Sequence, residues 1–221
     1  FSNVIYSLPP VGWRPENLGR IPYNPGRSSL LPHIEASHDG WPFCCRIDFR
    51  SLIPTPAPMQ ALLDAIATMP LSTDARRVFH GRGGLYPGCE HWTLDAFPPV
   101  WVVTSFLPVT DAELATLHAA LLERWTQLAP EAPLNWVFQY RCEARAETRL
   151  MAGSVPEPHV VTENGTHFRV HLLKGLNHGF FLDMAEGRRW VRAHAAARPG
   201  LKVLNLFAYS CAFSVVALQA G

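Results

Sequence analysis

A chain of 221 residues, 48% hydrophobic and 17% charged, has the make-up of a folded protein with room for one large domain or two small ones, which excludes disorder throughout. Lys plus Arg number 19 against 18 for Asp plus Glu, so nothing demands the broad basic footprint of a protein that grips many phosphates, and nucleic-acid binding has to be argued from other features. No apolar run approaches the roughly 18 residues of a membrane span, and the opening ten residues lack the charged and apolar regions of an export signal.

Residues 1–45 carry prolines, glycines and isolated aromatics without helical or strand period, and read as an irregular Pro-rich arm. Met59, Leu62, Leu63, Ile66 and Met69 then recur at helical spacing, and Pro70 closes that helix. From 76 to 105, turn chemistry alternates with β-branched and aromatic residues and ends in the run Val100-Trp101-Val102-Val103-Thr104, which predicts a small antiparallel sheet. Thr110 with Glu113 forms a capping box ahead of a helix whose Leu114, Leu117, Leu121, Leu122, Trp125 and Leu128 face that sheet. Residues 135–140 and 159–173 add strands, the second pair folded as a hairpin around Asn164-Gly165. Residues 46–173 are thus expected to form a small α+β domain, with substrate binding as its use.

The pattern changes at Lys174. Asp183, followed three residues later by Glu186, marks a helix start, and Pro199-Gly200 marks its end. Val203, Leu204, Leu206 and Phe207 are apolar on both faces, as in a strand of a parallel sheet covered by helices. The chain then turns through Ala208-Tyr209-Ser210-Cys211-Ala212 into a second helix. The expected fold class is an α+β central domain followed by the start of an α/β doubly wound, Rossmann-like domain. Because the chain opens on Phe1 and stops inside a helical pattern, it reads as a piece of a longer protein, in which layers outside residues 1–221 would cover Leu204, Leu206 and Phe207.

A sharp turn at the carboxyl end of a buried strand offers the free N–H groups of the next helix to a cofactor. Here the turn has no glycine, so from the residues alone a structural turn and a cofactor site both stay open. A nicotinamide enzyme would want GxGxxG there, and 208–213 contain no glycine. The stretch GRGGLYPG at 81–88 lacks the Gly-Lys-Ser/Thr of a phosphate loop and reads as a turn. Five cysteines, at 44, 45, 89, 142 and 211, form no CxxC pair and read as reduced thiols, and ten histidines include no HExxH, so no metal is expected.

The run GFFLDMAEGRR, followed by VLNLFAYSCAFSVVALQAG, resembles the class I S-adenosylmethionine-dependent methyltransferases related to the large-subunit rRNA cytosine and guanine methyltransferases. In that family a Thr-Gly-Phe-(Phe/Tyr)-Leu-Asp-Gln-Arg run precedes a helix, and a strand then ends in Asp-Leu-Phe-(Cys/Ser/Ala)-Tyr-Thr-Gly-Gly-Phe-Ser. The similarity covers residues 76–221. It implies that Phe181 and Asp183 belong to a segment closing over S-adenosylmethionine, and that Asn205, Phe207, Ala208, Tyr209, Ser210 and Cys211 form the cofactor turn. Asn205 stands for the family's Asp, which keeps a hydrogen-bonding group beside the methionine end but drops its charge. Ser210, Cys211 and Ala212 stand for Thr-Gly-Gly, a match that lets the backbone approach if φ stays negative.

The resemblance implies an RNA base as substrate and catalytic residues on strands outside this chain, so none is assigned here, and residues 1–221 alone are expected to be inactive; the reduced thiols point to a cytoplasmic protein. Against it stands a non-catalytic RNA-binding or scaffolding module with a degenerate methyltransferase domain. The bland readings of single residues are Asp183 as a helix cap, Tyr209 as core packing and Cys211 as a small buried residue rather than a nucleophile.

Overall fold

The computed structural model describes residues 4–7, 59–142, 145–175, 177–206 and 208–221. Apart from Val4–Ser7, the arm at 1–45 lies outside the described residues, as do Cys44, Cys45 and Phe207.

A five-stranded sheet organises the described chain, in the order β2 (Arg76–His80), β3 (Trp92–Phe97), β4 (Val100–Ser105), β5 (Asn135–Cys142) and β6 (Arg145–Ala152). Strands β2 to β4 are antiparallel as expected, but β5 runs parallel to β4, because α2 (Asp111–Leu128) carries the chain back over one face before β5 begins. The capping box at its head is formed: Thr110 Oγ1 accepts from the Glu113 N–H, and Glu113 Oε2 accepts from the Thr110 N–H at 2.8 Å.

The two faces of this sheet are built differently. On one, Trp92, Leu94, Trp101, Val103, Trp136 and Phe138 pack against α2 and α1 (Gln60–Thr68) in a continuous apolar core. Leu114, Leu117, Leu121 and Trp125 supply the α2 side, while Leu122, one residue and about 100° of helix away from Leu121, is exposed rather than packed. On the other face, Phe97, Val100, Val102 and Val137 form an apolar half. It is covered by the hairpin of β7 (His159–Glu163) and β8 (Thr166–Val170) together with α3 (Ala185–Ala196) and α4 (Ala212–Ala220).

The hairpin turns on Asn164 and Gly165, both at positive φ (49° and 76°), as a two-residue turn of matching twist requires. Asp74 ties it to the start of β2: its Oδ1 accepts from Thr162 Oγ1 at 2.8 Å and its Oδ2 from the Asn164 N–H at 2.9 Å.

Strand β9 (Val203–Leu206) departs from the expected burial on both sides. It pairs antiparallel with β1 (Val4–Ser7), and its positions alternate between half-buried and exposed. Val203 packs on the core shared by α3 and α4. Leu204 and Leu206 point to the opposite face, which the two helices do not cover, and are 46% and 39% exposed.

Candidate functional site

The motif segment after β8 is held from behind by a buried ion pair. Arg188, on the inner face of α3 beside Val191 and Ala195, donates from Nε and Nη2 to the two Glu163 carboxylate oxygens at 2.6 and 2.7 Å. Its Nη1 donates to the Phe181 carbonyl at 2.9 Å, and its guanidinium lies 4.1 Å from the Phe180 ring centroid. One planar fork therefore fixes the hairpin end, α3 and the backbone of Phe180–Phe181 together. Its sequence signal is faint: Arg188 belongs to no motif and shows itself only by lying in register with Val191 and Ala195 on the buried face of α3.

Asp183 does not cap α3. The helix begins at Ala185, with Met184 as its N-cap and no side-chain capping bond, after a short 3-10 turn at Leu182–Met184. Asp183 is exposed and stands on the rim of a cleft.

The βα turn is strained. Tyr209 and Cys211 adopt the left-handed conformation, with φ of 48° and 59°, and the Cys211 N–H bonds the Ala208 carbonyl at 2.7 Å. The condition of negative φ is not met: Cys211, where the family pattern has glycine, takes the backbone geometry that glycine takes without cost. It is exposed rather than buried, and Tyr209 is 55% exposed rather than core packing. Cys211 is also the N-cap of α4 and supplies no side-chain bond, which leaves the first N–H groups of the helix without a capping side chain. Asn205 donates from Nδ2 to Ser214 Oγ at 2.8 Å, whereas its Oδ1 is shut from solvent and has no partner among the described residues. Phe181 and Tyr209 meet with ring centroids 5.2 Å apart, so the two motifs are brought together through their aromatic members.

In front of the motif segment lies a polar cleft with a cavity volume of about 240 Å³. Its floor is the second half of the sheet face that carries Phe97 and Val102: Thr93 and Asp95 of β3, Thr104 of β4, and Gln139 and Arg141 of β5. Its walls are Arg77, His80, Arg82 and Phe106 on one side and residues 177–183 on the other. Arg77 pairs with Asp95 at 2.8 Å. Burial pushes the Asp95 carboxyl up, and the Arg77 guanidinium opposes that rise. His178, edge-on to Phe97, is buried, and its pKa is pushed down to about 4, chiefly by desolvation; the His171 carbonyl opposes the shift and Arg141 adds to it. Asp183 adds negative potential at Arg77, His80 and Asp95.

Residues 76–221 match the family model of the S-adenosylmethionine-dependent methyltransferases. The chain belongs to that family. Among curated relatives, the "Ribosomal RNA large subunit methyltransferase I" of Serratia proteamaculans is 39% identical over 67% of this chain and 36% of its own length. The "Ribosomal RNA large subunit methyltransferase" of Deinococcus radiodurans is 29% identical over the same shares. The "Ribosomal RNA large subunit methyltransferase K/L" of a Psychrobacter species is 40% identical over 38% of this chain and 10% of its own length. The chain therefore spans about a third or less of the relatives it matches.

The chemistry of the βα turn is compatible with S-adenosylmethionine. The unpartnered Asn205 Oδ1 is a buried acceptor suited to an ammonium, and the head of α4, which no side chain caps, leaves backbone N–H donors available. Phe181 meets Tyr209 of this turn, and Asp183 lines the polar cleft, where it adds negative potential at Arg77. Among the described residues no group of three or more His, Cys, Asp or Glu side chains could hold a metal, and no helix is long and apolar enough to cross a membrane.

Proposed function

We propose that this protein is an S-adenosylmethionine-dependent methyltransferase acting on a base of ribosomal RNA in the cytoplasm. The observation that carries the reading is the buried, unpartnered Oδ1 of Asn205 at the head of a strained turn whose sequence resembles the family's cofactor motif. Phe181, Asp183, Asn205, Phe207, Ala208, Tyr209, Ser210 and Cys211 are assigned to the cofactor, and no residue of this chain is assigned to the chemistry of the target base. When bound, the cofactor supplies an electrophilic methyl group on a sulfonium.

The chain's own part is positioning. Asn205 accepts from the ammonium, its amide being oriented by the bond to Ser214 Oγ, while the left-handed turn aims N–H groups at the carboxylate end. Phe181 and Tyr209 close an apolar lid over the site, and Arg188 holds Phe181 in place through its carbonyl. The relatives' names point to large-subunit ribosomal RNA as substrate.

Calorimetric titration of the full-length protein with S-adenosylmethionine tests the site. Binding is expected, and Asn205→Ala should weaken it by about 1–3 kcal/mol through loss of a buried hydrogen bond. No binding at millimolar ligand would leave the non-catalytic RNA-binding alternative. Labelled cofactor incubated with ribosomal RNA from a deletion strain should mark a single nucleotide; label on protein or a small molecule instead would overturn the RNA assignment alone.

A further inference from the structure

The polar cleft holds more cationic capacity than its own carboxylates use. Arg77 is taken by Asp95, but Arg82 and Arg141 have no carboxylate partner among the described residues. Arg82 is exposed on the Gly81–Gly83 turn and lies 4.1 Å from the Phe106 ring centroid, which fixes its plane over the cleft without neutralising it. Arg141 is half-buried on β5; its Nη2 donates to Asn177 Oδ1 at 3.3 Å, and its Nε is shut from solvent with no acceptor. Two residues earlier on the same strand face, Gln139 donates from Nε2 to the Gly175 carbonyl, while its Oε1 is likewise buried and unpartnered.

A buried guanidinium N–H without an acceptor costs free energy unless something occupies the place in front of it. An anion does so best, because two arginine forks converge on the same cleft. Asp183, the exposed carboxylate on the opposite rim, repels an anion and so confines it to the Arg82 and Arg141 side. Phe106, under Arg82, and Phe181, against Tyr209, line the same cleft and add apolar surface beside that anion.

Size narrows the ligand. At about 240 Å³ the cavity lies below the roughly 300–1,000 Å³ of sites that enclose a whole drug-sized molecule, so it suits a group on a chain that continues outside. Through Phe181 the cleft wall touches Tyr209 of the cofactor turn. A strand anchored here would lie next to that turn.

We propose that this cleft is a phosphodiester-binding subsite for single-stranded RNA, in which Arg82 and Arg141 hold one backbone phosphate and Gln139 accepts from the adjoining sugar or base. The assignment deepens the RNA methyltransferase reading and rests on it for the identity of the strand.

The test is fluorescence anisotropy of a labelled mixed-sequence oligoribonucleotide with the full-length protein across a salt series, run beside calorimetric titrations with S-adenosylmethionine and with inorganic phosphate. Arg82→Ala and Arg141→Ala should each lower oligonucleotide affinity about 5- to 20-fold near 0.1 M salt and reduce the salt slope by about 0.7, as expected for one lost contact to a single strand. Arg82→Ala should leave cofactor affinity at the parent value. Arg82 stands on an exposed turn, so that variant decides the matter even if Arg141→Ala does not fold, and Arg141→Lys, which keeps the charge but not the fork, should retain the slope and lose affinity.

Parent-like affinity and slope in Arg82→Ala and Arg141→Lys, with cofactor still binding, would overturn the subsite and leave the methyltransferase reading standing. The expected losses without any cofactor binding would sustain the subsite and remove that reading. Inorganic phosphate binding that Arg82→Ala abolishes, with oligonucleotide affinity unchanged, would overturn the RNA assignment in favour of a small-anion site.

Discussion

Strands β4 and β9 have similar apolar make-up and opposite fates. In β4 all six residues are buried, because α1 and α2 cover one face of its sheet while the β7–β8 hairpin, α3 and α4 cover the apolar half of the other. In β9 only the side bearing Val203 meets a helix layer, and Leu204 and Leu206 remain in contact with water. Residue type decides that a strand forms; the number of layers against it decides how much that strand contributes to stability.

Removing what joins the layers should have the largest effect. Arg188→Ala strands the buried Glu163 carboxylate and frees the Phe181 carbonyl, and is expected to cost about 3–5 kcal/mol in urea unfolding, with weakened cofactor binding in the folded remainder. A loss under about 1 kcal/mol would show that α3 and the hairpin are held by apolar contacts alone.

The strand comparison is sharpened by a pair of leucine deletions. Leu117→Ala, on the α2 face packed against the sheet, should cost about 2–5 kcal/mol by opening a cavity, and Leu204→Ala should fall within about 0.5 kcal/mol. Equal costs would mean that β9 is covered in solution.

His178 tests the second sheet face by pH. Its folded pKa of about 4 lies below the ordinary value of 6.5, so between the two the unfolded chain binds the proton and the folded chain does not. Stability from this group is therefore complete above about pH 6.5 and is lost as pH falls towards 4, by about 3 kcal/mol in all. Asp95, raised by burial, acts in the opposite sense and is retained in the variant. His178→Gln should flatten the rise in urea midpoint between about pH 4.5 and pH 7; an unchanged slope would place the titration elsewhere.

The smallest effect is expected at Cys211. Replacement by glycine relieves the left-handed backbone at the head of α4 and should raise stability by about 0.5–1 kcal/mol, net of the entropy that glycine loses on folding. Destabilisation would show that the thiol makes a contact outweighing the strain.

Local chemistry was legible wherever neighbours in sequence are neighbours in space. The capping box at Thr110 and Glu113, the Asn164-Gly165 hairpin and the apolar stripe of α2 each follow from spacing alone, because helix and turn geometry fix which groups meet. The family, too, was legible, since two linked motifs carried it. Strand β6 was not, because Arg145–Ala152 interleaves charged and apolar residues without turn signals, and edge pairing to β5 supplies what its own pattern lacks.

The sequence by itself determined most of the elements, their order and the family motif at 203–214, since those depend on interactions a few residues long. Only the tertiary structure decided that β5 lies parallel to β4, that Asp183 faces a cleft instead of capping its helix, and that Cys211 stands exposed at positive φ. It alone placed Arg188 against Glu163 and Arg82 beside Arg141 in one cleft, because such encounters depend on which layers close over which faces, and no local spacing records that.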